Sequence, residues 1–340
     1  MRVKQMKKFL TLLMLTIMLL GLAGCGGNTE SKAEQRGVYP ADREITVLIP
    51  KAQGGGTDTS ARDMLYFMKK ELQGSKFVPV NRPEGNGITA MAELAKSKPD
   101  GHTLGMVTVE LAMIPHQGKA SVSHKDFVSI CATTVAPAAL IVSGEFPVWS
   151  LDEFVRYAKA NPGKIRMGNS GTDSIWHLAA LNFEKEFGVK FKHVPYPKGV
   201  ADIAVAMEGK HIDAALADPA AFRSRLDSGA VKMLAVTTNV RLQAYPKIPT
   251  FRELGHPMTI RAWAVLAAPK DTPKERVEIL RKAAAKICGS KEYKELLRKQ
   301  GDVPVSIIGD DCDRMMAEDT AFYGKLLTNN QKQDRSSNNK

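Results

Sequence analysis

A strand, a glycine turn and the start of a helix follow one another within residues 45–62. Ile45–Ile49 is a short apolar, β-branched run, the pattern of a strand that is covered on both faces. The triple glycine at 54–56 lets the backbone approach a ligand closely, and Thr57 or Asp58 can cap the helix that follows. Backbone N–H groups then point outward from a positive helix end, so the segment predicts an anion site.

The first 25 residues carry a targeting pattern. Four cations precede an apolar run over residues 9–23, which is too short for a membrane span and typical of a signal-peptide core. The run ends in Leu22-Ala-Gly-Cys25, which resembles the bacterial lipobox, whose cysteine is lipidated. We expect residues 1–24 to be a lipoprotein signal peptide and residues 25–38 to be a tether. The protein would then be exported and lipid-anchored at the cell membrane through Cys25, on its extracytoplasmic side.

Charge and cysteine content exclude some functions. Loss of residues 1–24 lowers the formal net charge from +12 to +8, which favours anionic partners without selecting one. Aromatic residues make up only 6% and the basic residues are spread along helices, so we expect no nucleic-acid partner. No C-x-x-C or His/Cys cluster is present, so we expect no metal site and no cofactor. A disulfide between Cys288 and Cys312 stays open, and residues 329–340 predict a disordered tail.

Strand and helix patterns alternate along the rest of the chain. This alternation predicts an α/β fold with mixed, mostly parallel sheets. Predicted strands cover residues 45–49, 77–81, 103–109, 164–169, 190–195, 212–217 and 231–237. Predicted helices cover residues 64–72, 88–96, 151–160, 175–187, 200–208, 274–286 and 292–300.

A second glycine turn, at 167–177, again follows a strand and opens a helix. Ser170, Thr172 and Ser174 supply hydroxyl groups, and Gly171 allows close backbone approach. Open α/β sheets bind ligands at the carboxyl ends of their strands, where both turns are expected. A carboxylate could therefore accept N–H and O–H hydrogen bonds from both turns across a cleft.

Two further loops are candidate parts of the same site. In the loop 193–199, Tyr196 offers an aromatic wall or a hydroxyl group, and Lys198 offers a positive charge. Asp218 follows a predicted strand and precedes Pro219. Its carboxylate could accept a hydrogen bond from a ligand, or it could simply cap the next helix.

An ordered set of short motifs identifies a family. The motifs are Tyr39-Pro40, Gly54-Gly-Gly-Thr-Asp58, Asn81-Arg-Pro83, Pro99-Asp-Gly-His-Thr-Leu104, Ala160-Asn-Pro-Gly-Lys164, Gly168-Asn-Ser-Gly-Thr172, His177-Leu178, Val194-Pro-Tyr196, Leu234-Ala-Val236, Arg241, Ile248-Pro-Thr-Phe251, Glu253, Pro269 and Thr272-Pro273. The chain resembles the substrate-binding proteins of tripartite tricarboxylate transporters, the Bug family, over residues 39–327. The resemblance implies a two-domain, periplasmic-binding-protein-like clamshell of the type II-like form, joined by crossing strands. It also implies capture of a small organic carboxylate by a monomer and delivery to integral-membrane permease subunits.

The resemblance also implies domain bounds and contacts. Residues 39–142 with 260–328 would form the first domain, and 143–259 the second. Implied ligand contacts are Gly55, Gly56, Thr57 and Asp58 in the first domain, and Ser170, Gly171, Thr172 and Ser174 in the second, with support from Tyr196 and Asp218. The chain departs from the family pattern at Lys51 and Asp173. Lys51 could pair with a ligand carboxylate or project into solvent, and Asp173 could repel a second carboxylate or accept an amino or hydroxyl group.

Two enzymatic alternatives have weak support. Gly85-Asn-Gly87 and Ala90 imitate a dinucleotide fingerprint, with Glu110 about 20 residues further on, which would suit a nicotinamide-dependent oxidoreductase. Six residues separate the strand from the first glycine, however, so the turn is not tight. An exported hydrolase could use Ser170 with His177, but the G-x-S-x-G pattern would need glycine at 172, which is threonine. We therefore expect a binding protein without catalysis.

Overall fold

The structure is a computed structural model that describes residues 38–118, 121–300 and 302–337, with side chains described as far as residue 328. The expected signal peptide, Cys25 and the tether up to residue 37 lie outside the described residues. None of the described helices combines the length and apolar character that a membrane crossing needs.

Ten strands form two five-stranded sheets in the part of the chain that the structure describes. The first sheet has the order β2-β1-β3-β10-β4 and the second has the order β7-β6-β8-β5-β9. The strands are β1 (Ile45–Ile49), β2 (Phe77–Asn81), β3 (Thr103–Thr108), β4 (Phe127–Pro137), β5 (Ala139–Ser143), β6 (Arg166–Asn169), β7 (Lys192–Pro195), β8 (Ala214–Ala217), β9 (Val231–Val236) and β10 (Arg261–Pro269).

Helices cover both sheets and separate most of the strands. They are α1 (Gly56–Glu71), α2 (Ile88–Lys96), α3 (Glu110–Gln117), α4 (Leu151–Ala160), α5 (Ile175–Phe187), α6 (Val200–Glu208), α7 (Arg223–Asp227), α8 (Lys274–Gly289), α9 (Lys291–Gln300) and α10 (Asp310–Ser337). Three short 3₁₀ turns add Glu84–Gly87, His124–Asp126 and Pro219–Phe222. Helix α10 includes residues 329–337, for which the sequence predicts a disordered tail.

The predicted α/β fold with mixed sheets is confirmed, and the mixture has a simple pattern. Strands β1, β2 and β3 pair in parallel, as do β6, β7 and β8. Every antiparallel pairing involves β5 or β10, and these pairings are as numerous as the parallel ones among the described strands. The chain enters the second sheet with β5 and returns to the first with β10. Each of these two strands runs opposite to the strands that it joins.

The two crossings between the sheets meet at one buried threonine. Thr237 Oγ1 accepts the N–H of Ala138 at 2.9 Å and donates to the carbonyl of Ile260 at 2.7 Å. Ala138 precedes β5 and Ile260 precedes β10, so this hydroxyl ties the outgoing chain to the returning chain. The sequence places the first domain boundary after residue 142, whereas β5 pairs with β8 and β9 in the second sheet. Strand β5 therefore belongs to the second sheet, and the bounds of the two domains stay a prediction.

Apolar residues of the first sheet pack against α1 and α8, and three cysteines lie in the apolar interior. Cys131, Cys288 and Cys312 are buried and free, so the 288–312 disulfide that the sequence leaves open is not formed. Burial raises the pKa of the Cys288 thiol to about 11 and that of the Cys312 thiol to about 12. Thiols with such pKa values stay protonated and unreactive near neutral pH.

Candidate functional site

The first glycine turn, residues 50–56 (turn 1), leads from the carboxyl end of β1 into α1. Gly54 has φ +79°, a left-handed conformation that glycine adopts without steric cost. Gly55 is the N-cap of α1, and no side chain caps this helix end. The backbone N–H groups at Gly56 and Thr57 therefore lack an intrahelical partner and are free to bind an acceptor.

Asp58 is buried in the first turn of α1, where its carboxylate shapes turn 1 from within. The carboxylate accepts the N–H of Gly54 at 2.9 Å, Arg62 Nε at 2.9 Å and Asn81 Nδ2 at 2.8 Å. Burial opposes ionisation, but the hydrogen bonds from Arg62, Gly54 and Asn81 outweigh it and hold the pKa of the Asp58 carboxyl below its usual value. Both oxygens bind protein donors, so any contact of Asp58 with a ligand stays a prediction.

Lys51 lies in turn 1 with its ammonium group directed at protein oxygens. Nζ lies 2.8 Å from Asn86 Oδ1, 3.4 Å from the carbonyl of Asn86 and 3.2 Å from Glu110 Oε1. The other oxygen of Glu110 accepts the Thr108 hydroxyl at 2.6 Å. Lys51 therefore binds the start of α3 to turn 1, and its charge is balanced by that of Glu110.

The second glycine turn, residues 170–174 (turn 2), leads from β6 into α5. Asn169 Oδ1 accepts the N–H of Gly171, which has φ +110°. Ser174 is the N-cap, and its Oγ accepts the N–H of His177 at 3.3 Å and the hydroxyl of Ser170 at 2.9 Å. Ser174 is completely buried, so its hydroxyl stabilises the turn from inside, while Ser170 is only half-buried.

Helix α3 connects the two turns. It begins at Glu110 beside Lys51 of turn 1, and at its other end Gln117 Nε2 donates to the Asp173 carbonyl of turn 2 at 3.3 Å. Eight helical residues span only about 12 Å. The predicted site residues of the two sheets are thus brought to opposite ends of one short helix.

The two further loops lie at the carboxyl edge of the second sheet. The N–H of Tyr196 donates to the Asn169 carbonyl at 2.7 Å, and Pro197 lies beside Gly171, so this loop flanks turn 2. Asp218 Oδ1 accepts the N–H of Ala220 at 2.9 Å and caps the following 3₁₀ turn. Of the two roles considered for Asp218, capping is the one that this hydrogen bond serves.

A hydrogen bond between α7 and α9 also joins the elements around the two sheets. Arg223 Nη1 of α7 donates to the carbonyl of Arg298 in α9 at 2.9 Å.

Burial raises the pKa of the Asp218 carboxyl to about 7, and the negative charge of Asp302, which follows α9, acts in the same direction. Asp218 therefore titrates near neutral pH.

The geometry gives no support to the two enzymatic alternatives. A Cβ atom at Gly87 would meet the carbonyl oxygen of Pro50 at 2.6 Å, so close packing against turn 1 explains this glycine. His177 Nδ1 accepts the N–H of Asp173 while Ser170 donates to Ser174, so these bonds do not form a Ser–His nucleophile pair. Among the described residues, no group of three or more His, Cys, Asp or Glu side chains could hold a metal ion.

Comparison with known proteins decides the family. The family described as "Tripartite tricarboxylate transporter family receptor" (TctC) matches residues 61–331. The chain belongs to the TctC family. This assignment confirms the resemblance seen in the sequence motifs, and it makes the chain a member of a family of extracytoplasmic solute receptors rather than of enzymes.

Solved structures of TctC relatives have the same fold. A TctC solute-binding protein from Polaromonas is 33% identical, with a TM-score of 0.71, over 86% of this chain and 100% of that one. An R. palustris protein solved with adipate is 27% identical, with a TM-score of 0.79, over 86% and 99%. MatC from Rhodopseudomonas palustris, solved with bound malate, is 25% identical, with a TM-score of 0.74, over 84% and 99%.

Several residues that shape the site carry no local signal in the sequence. Gln117 and His193 contact turn 2 or its supporting helix from distant parts of the chain. A glutamine at the end of a helix has many possible roles, so only the fold could assign this one. The hydrolase alternative paired His177 with Ser170, whereas in the structure its Nδ1 accepts the N–H of Asp173.

Proposed function

We propose that this TctC receptor captures a small organic carboxylate between turn 1 and turn 2 and delivers it to integral-membrane permease subunits. The observation that carries the proposal is the placement of both turns at opposite ends of α3. Uncapped amides of α1 on one side, and backbone amides of turn 2 on the other, offer charge-assisted hydrogen bonds to one anion. The Ser170 hydroxyl, which donates to Ser174 Oγ, adds a donor when it rotates to the ligand. The adipate and malate in two solved relatives support this class of ligand.

The roles of the site residues follow from their partners. Gly56 and Thr57 supply donors from turn 1, where Gly55 is the N-cap of α1. Thr172 supplies a donor from turn 2, and Ser170 adds one when its hydroxyl rotates from Ser174 to the ligand. Gly171, Ser174, Tyr196 and Asp58 hold these donors in place through the hydrogen bonds described above. Asp218 caps the 3₁₀ turn that follows β8. Since Lys51 is balanced by Glu110, turn 1 selects a carboxylate through its amides and hydroxyls rather than through the charge of Lys51.

Closure of the two lobes is the proposed mechanism. Only the closed form presents both turns to one ligand, so ligand binding shifts the population towards that form. We further propose that the receptor is a monomer anchored by a lipid on Cys25 outside the cytoplasm. Mass spectrometry of membrane-extracted protein tests the anchor, since a diacylated Cys25 would be the first residue of the mature chain and an unmodified N-terminus before it would refute the anchor.

A ligand panel tests the proposed function. Thermal shifts would be recorded with malate, adipate, citrate, aromatic acids and amino acids, because a ligand at about 100 times its Kd adds about 2.7 kcal/mol of stability. Isothermal titration of the best ligand would then compare Thr57→Val and Ser170→Ala with the wild type. Each variant removes a side-chain hydroxyl but keeps the backbone N–H, and loss of this donor is expected to weaken binding about fivefold or more.

The matched control for this experiment is Thr59→Val. Thr59 lies two residues after Thr57 and is exposed on α1, and a step of two residues turns its side chain to the other side of the helix. This variant should bind like the wild type. If no organic anion stabilises the wild type, the proposed function is wrong. If Thr57→Val and Ser170→Ala bind as well as the control, the proposed site is wrong although the receptor function stands.

A further inference from the structure

The peptide groups of Asp173 are fixed from both sides of the site. The N–H donates to His177 Nδ1 at 3.1 Å, and the carbonyl accepts the Gln117 amide at 3.3 Å. Asp173 has φ +62°, a left-handed conformation that costs a non-glycine residue about 1 kcal/mol and persists only when its surroundings impose it. The hydrogen bond to His177 is therefore part of what keeps turn 2 in this shape.

This hydrogen bond requires a neutral imidazole. His177 Nδ1 accepts a proton from a backbone N–H, so the ring proton must be on Nε2. Protonation of Nδ1 would replace an acceptor with a donor that faces the donor of Asp173. The positive charge would also stand in the first turn of α5, where the helix dipole opposes it.

The surroundings of His177 favour the neutral form. Burial lowers the pKa of His177, and the nearby His193 ring, whose centroid is 4.8 Å away, acts in the same direction. The carboxylates of Asp173 and Glu184 act in the opposite direction but do not outweigh these effects. Glu184 is itself engaged by the N–H of Phe191 at 2.6 Å and by His193 Nε2 at 3.3 Å.

We propose that His177 is a positioning residue that holds turn 2 in its binding conformation only while its imidazole is neutral. This inference rests on the proposed function, in which turn 2 binds the carboxylate. It makes solute binding dependent on pH. The receptor holds its solute at neutral pH and loses affinity as the medium becomes acidic, because the protonated ring no longer accepts the Asp173 N–H.

Two substitutions at His177 separate the hydrogen bond from the titration. His177→Gln keeps an acceptor three residues after the N-cap, where glutamine commonly reaches back to a free N–H, but it has no charge to gain. His177→Phe keeps a ring beside His193 and has no acceptor. The matched control is His256→Gln, a partly exposed second-lobe histidine whose Nδ1 pairs with Glu186 at 2.9 Å.

Isothermal titration with malate, at about pH 7.5 and about pH 5.5, gives the binding test. On acidification, the wild type and His256→Gln should lose about fivefold more affinity than His177→Gln loses. At the higher pH, His177→Gln should bind within about threefold of the wild type. His177→Phe should bind about fivefold or more weakly than the wild type at both pH values. Protonation of malate itself affects its binding to every variant equally, so the comparison with His177→Gln removes that contribution.

A spectroscopic test distinguishes this inference from the proposed function. The ¹⁵N–¹H signal of the Asp173 amide should move with the same titration midpoint as the His177 ring, whether or not any ligand binds. Equal pH profiles for the wild type and His177→Gln, or an Asp173 amide that stays fixed while His177 titrates, would overturn the inference. Absence of malate binding at both pH values, with a coupled amide titration, would count against malate as a ligand and leave His177 as the positioning residue.

Discussion

Charged side chains around the site are balanced by partners from the same helix and from distant parts of the chain. Lys51 is paired with Glu110, and Asp58 is bonded to Arg62 and Asn81. The positive electrostatic potential at turn 1 therefore comes mainly from its backbone N–H groups. Removing a single partner leaves the other as a buried, uncompensated group, and this determines what substitutions at these residues should do.

Asp58→Asn should destabilise the protein by about 1–3 kcal/mol near pH 7, because it removes a charge that accepts bonds from Arg62 and Gly54. The pKa of Asp58 is lowered in the folded state, so its contribution is present above the ordinary aspartate pKa and is lost as pH falls through the lowered value. Urea unfolding measures both effects. The exposed Asp152→Asn should change stability by less than about 1 kcal/mol, and an equal loss in both variants would contradict the prediction.

Asp218→Asn should stabilise the protein, in contrast to Asp58→Asn. The pKa of Asp218 is raised to about 7, so the folded state binds an extra proton and its stability falls as pH rises from about 4 to about 7. The amide keeps an oxygen for the N–H of Ala220 but has no charge to bury. We expect a gain of about 1–3 kcal/mol near pH 8 and a smaller one near pH 5 in urea unfolding. The same gain at both pH values would show that the charge is not responsible.

At the residue scale the sequence predicted the two glycine turns better than the hydrogen-bond partners of the residues in them. The glycine pattern predicted both turns because glycine and capping residues act locally. The partner of Lys51 is 59 positions away in the chain and that of Asp173 is 56 positions away. Such contacts depend on the complete sheet order, which one sequence without its fold cannot provide.

Thr237 and Thr238 are adjacent in the crossing region but have different environments. Thr237 is bonded to both crossings, whereas the Thr238 hydroxyl is buried and finds no partner among the described residues. The same substitution at these two neighbouring threonines changes size and polarity equally. The difference between the two variants therefore measures what the hydrogen bonds at the crossing contribute.

Thr237→Val should destabilise the protein by about 1–3 kcal/mol, because Ala138 and Ile260 lose a buried partner. Thr238→Val should be neutral or stabilising, since it removes a buried hydroxyl that has no hydrogen bond. Chemical unfolding of the two variants side by side measures the difference. Equal effects would mean that the hydroxyl of Thr237 does not tie the crossings.

Four helices with clear apolar periodicity were predicted to the residue, several other elements were predicted with shifted bounds, and one long helix was missed. The bounds of α2, α4, α5 and α6 agree with the sequence patterns because their apolar residues repeat at helical spacing between clear breakers. Helix α10 was not predicted, since its sequence is rich in charged and amide side chains that hide the apolar positions. Its buried Tyr323, which donates to the Arg261 carbonyl at 2.7 Å, is visible only in the fold.

In the part of the chain that the structure describes, hydrogen bonds link the helices and turns around one sheet to those around the other at two places. They join Gln117 to Asp173 and Arg223 to Arg298. Each is a single bond to a backbone carbonyl, and such bonds contribute about 0.5–1.5 kcal/mol. A contact of this strength can favour a closed form without preventing it from opening.

Gln117→Ala should therefore shift the free receptor towards an open form and weaken ligand binding about threefold. Small-angle scattering should show a larger radius of gyration for the free variant than for the free wild type. Gln243→Ala, in an exposed loop of the second lobe, is the matched control and should scatter like the wild type. An unchanged radius for Gln117→Ala would show that this bond does not influence closure.

The adjacency of the two crossings has a consequence for the gene. The amide of Ala138 lies 3.3 Å from the carbonyl oxygen of Ile260, so the piece of chain between them begins and ends at nearly the same point in space. A cassette encoding that piece could be cut out and replaced by a short linker, or exchanged for the matching cassette of a relative, with little strain on the remainder. Half of the proposed recognition surface could in this way be transplanted by a single insertion.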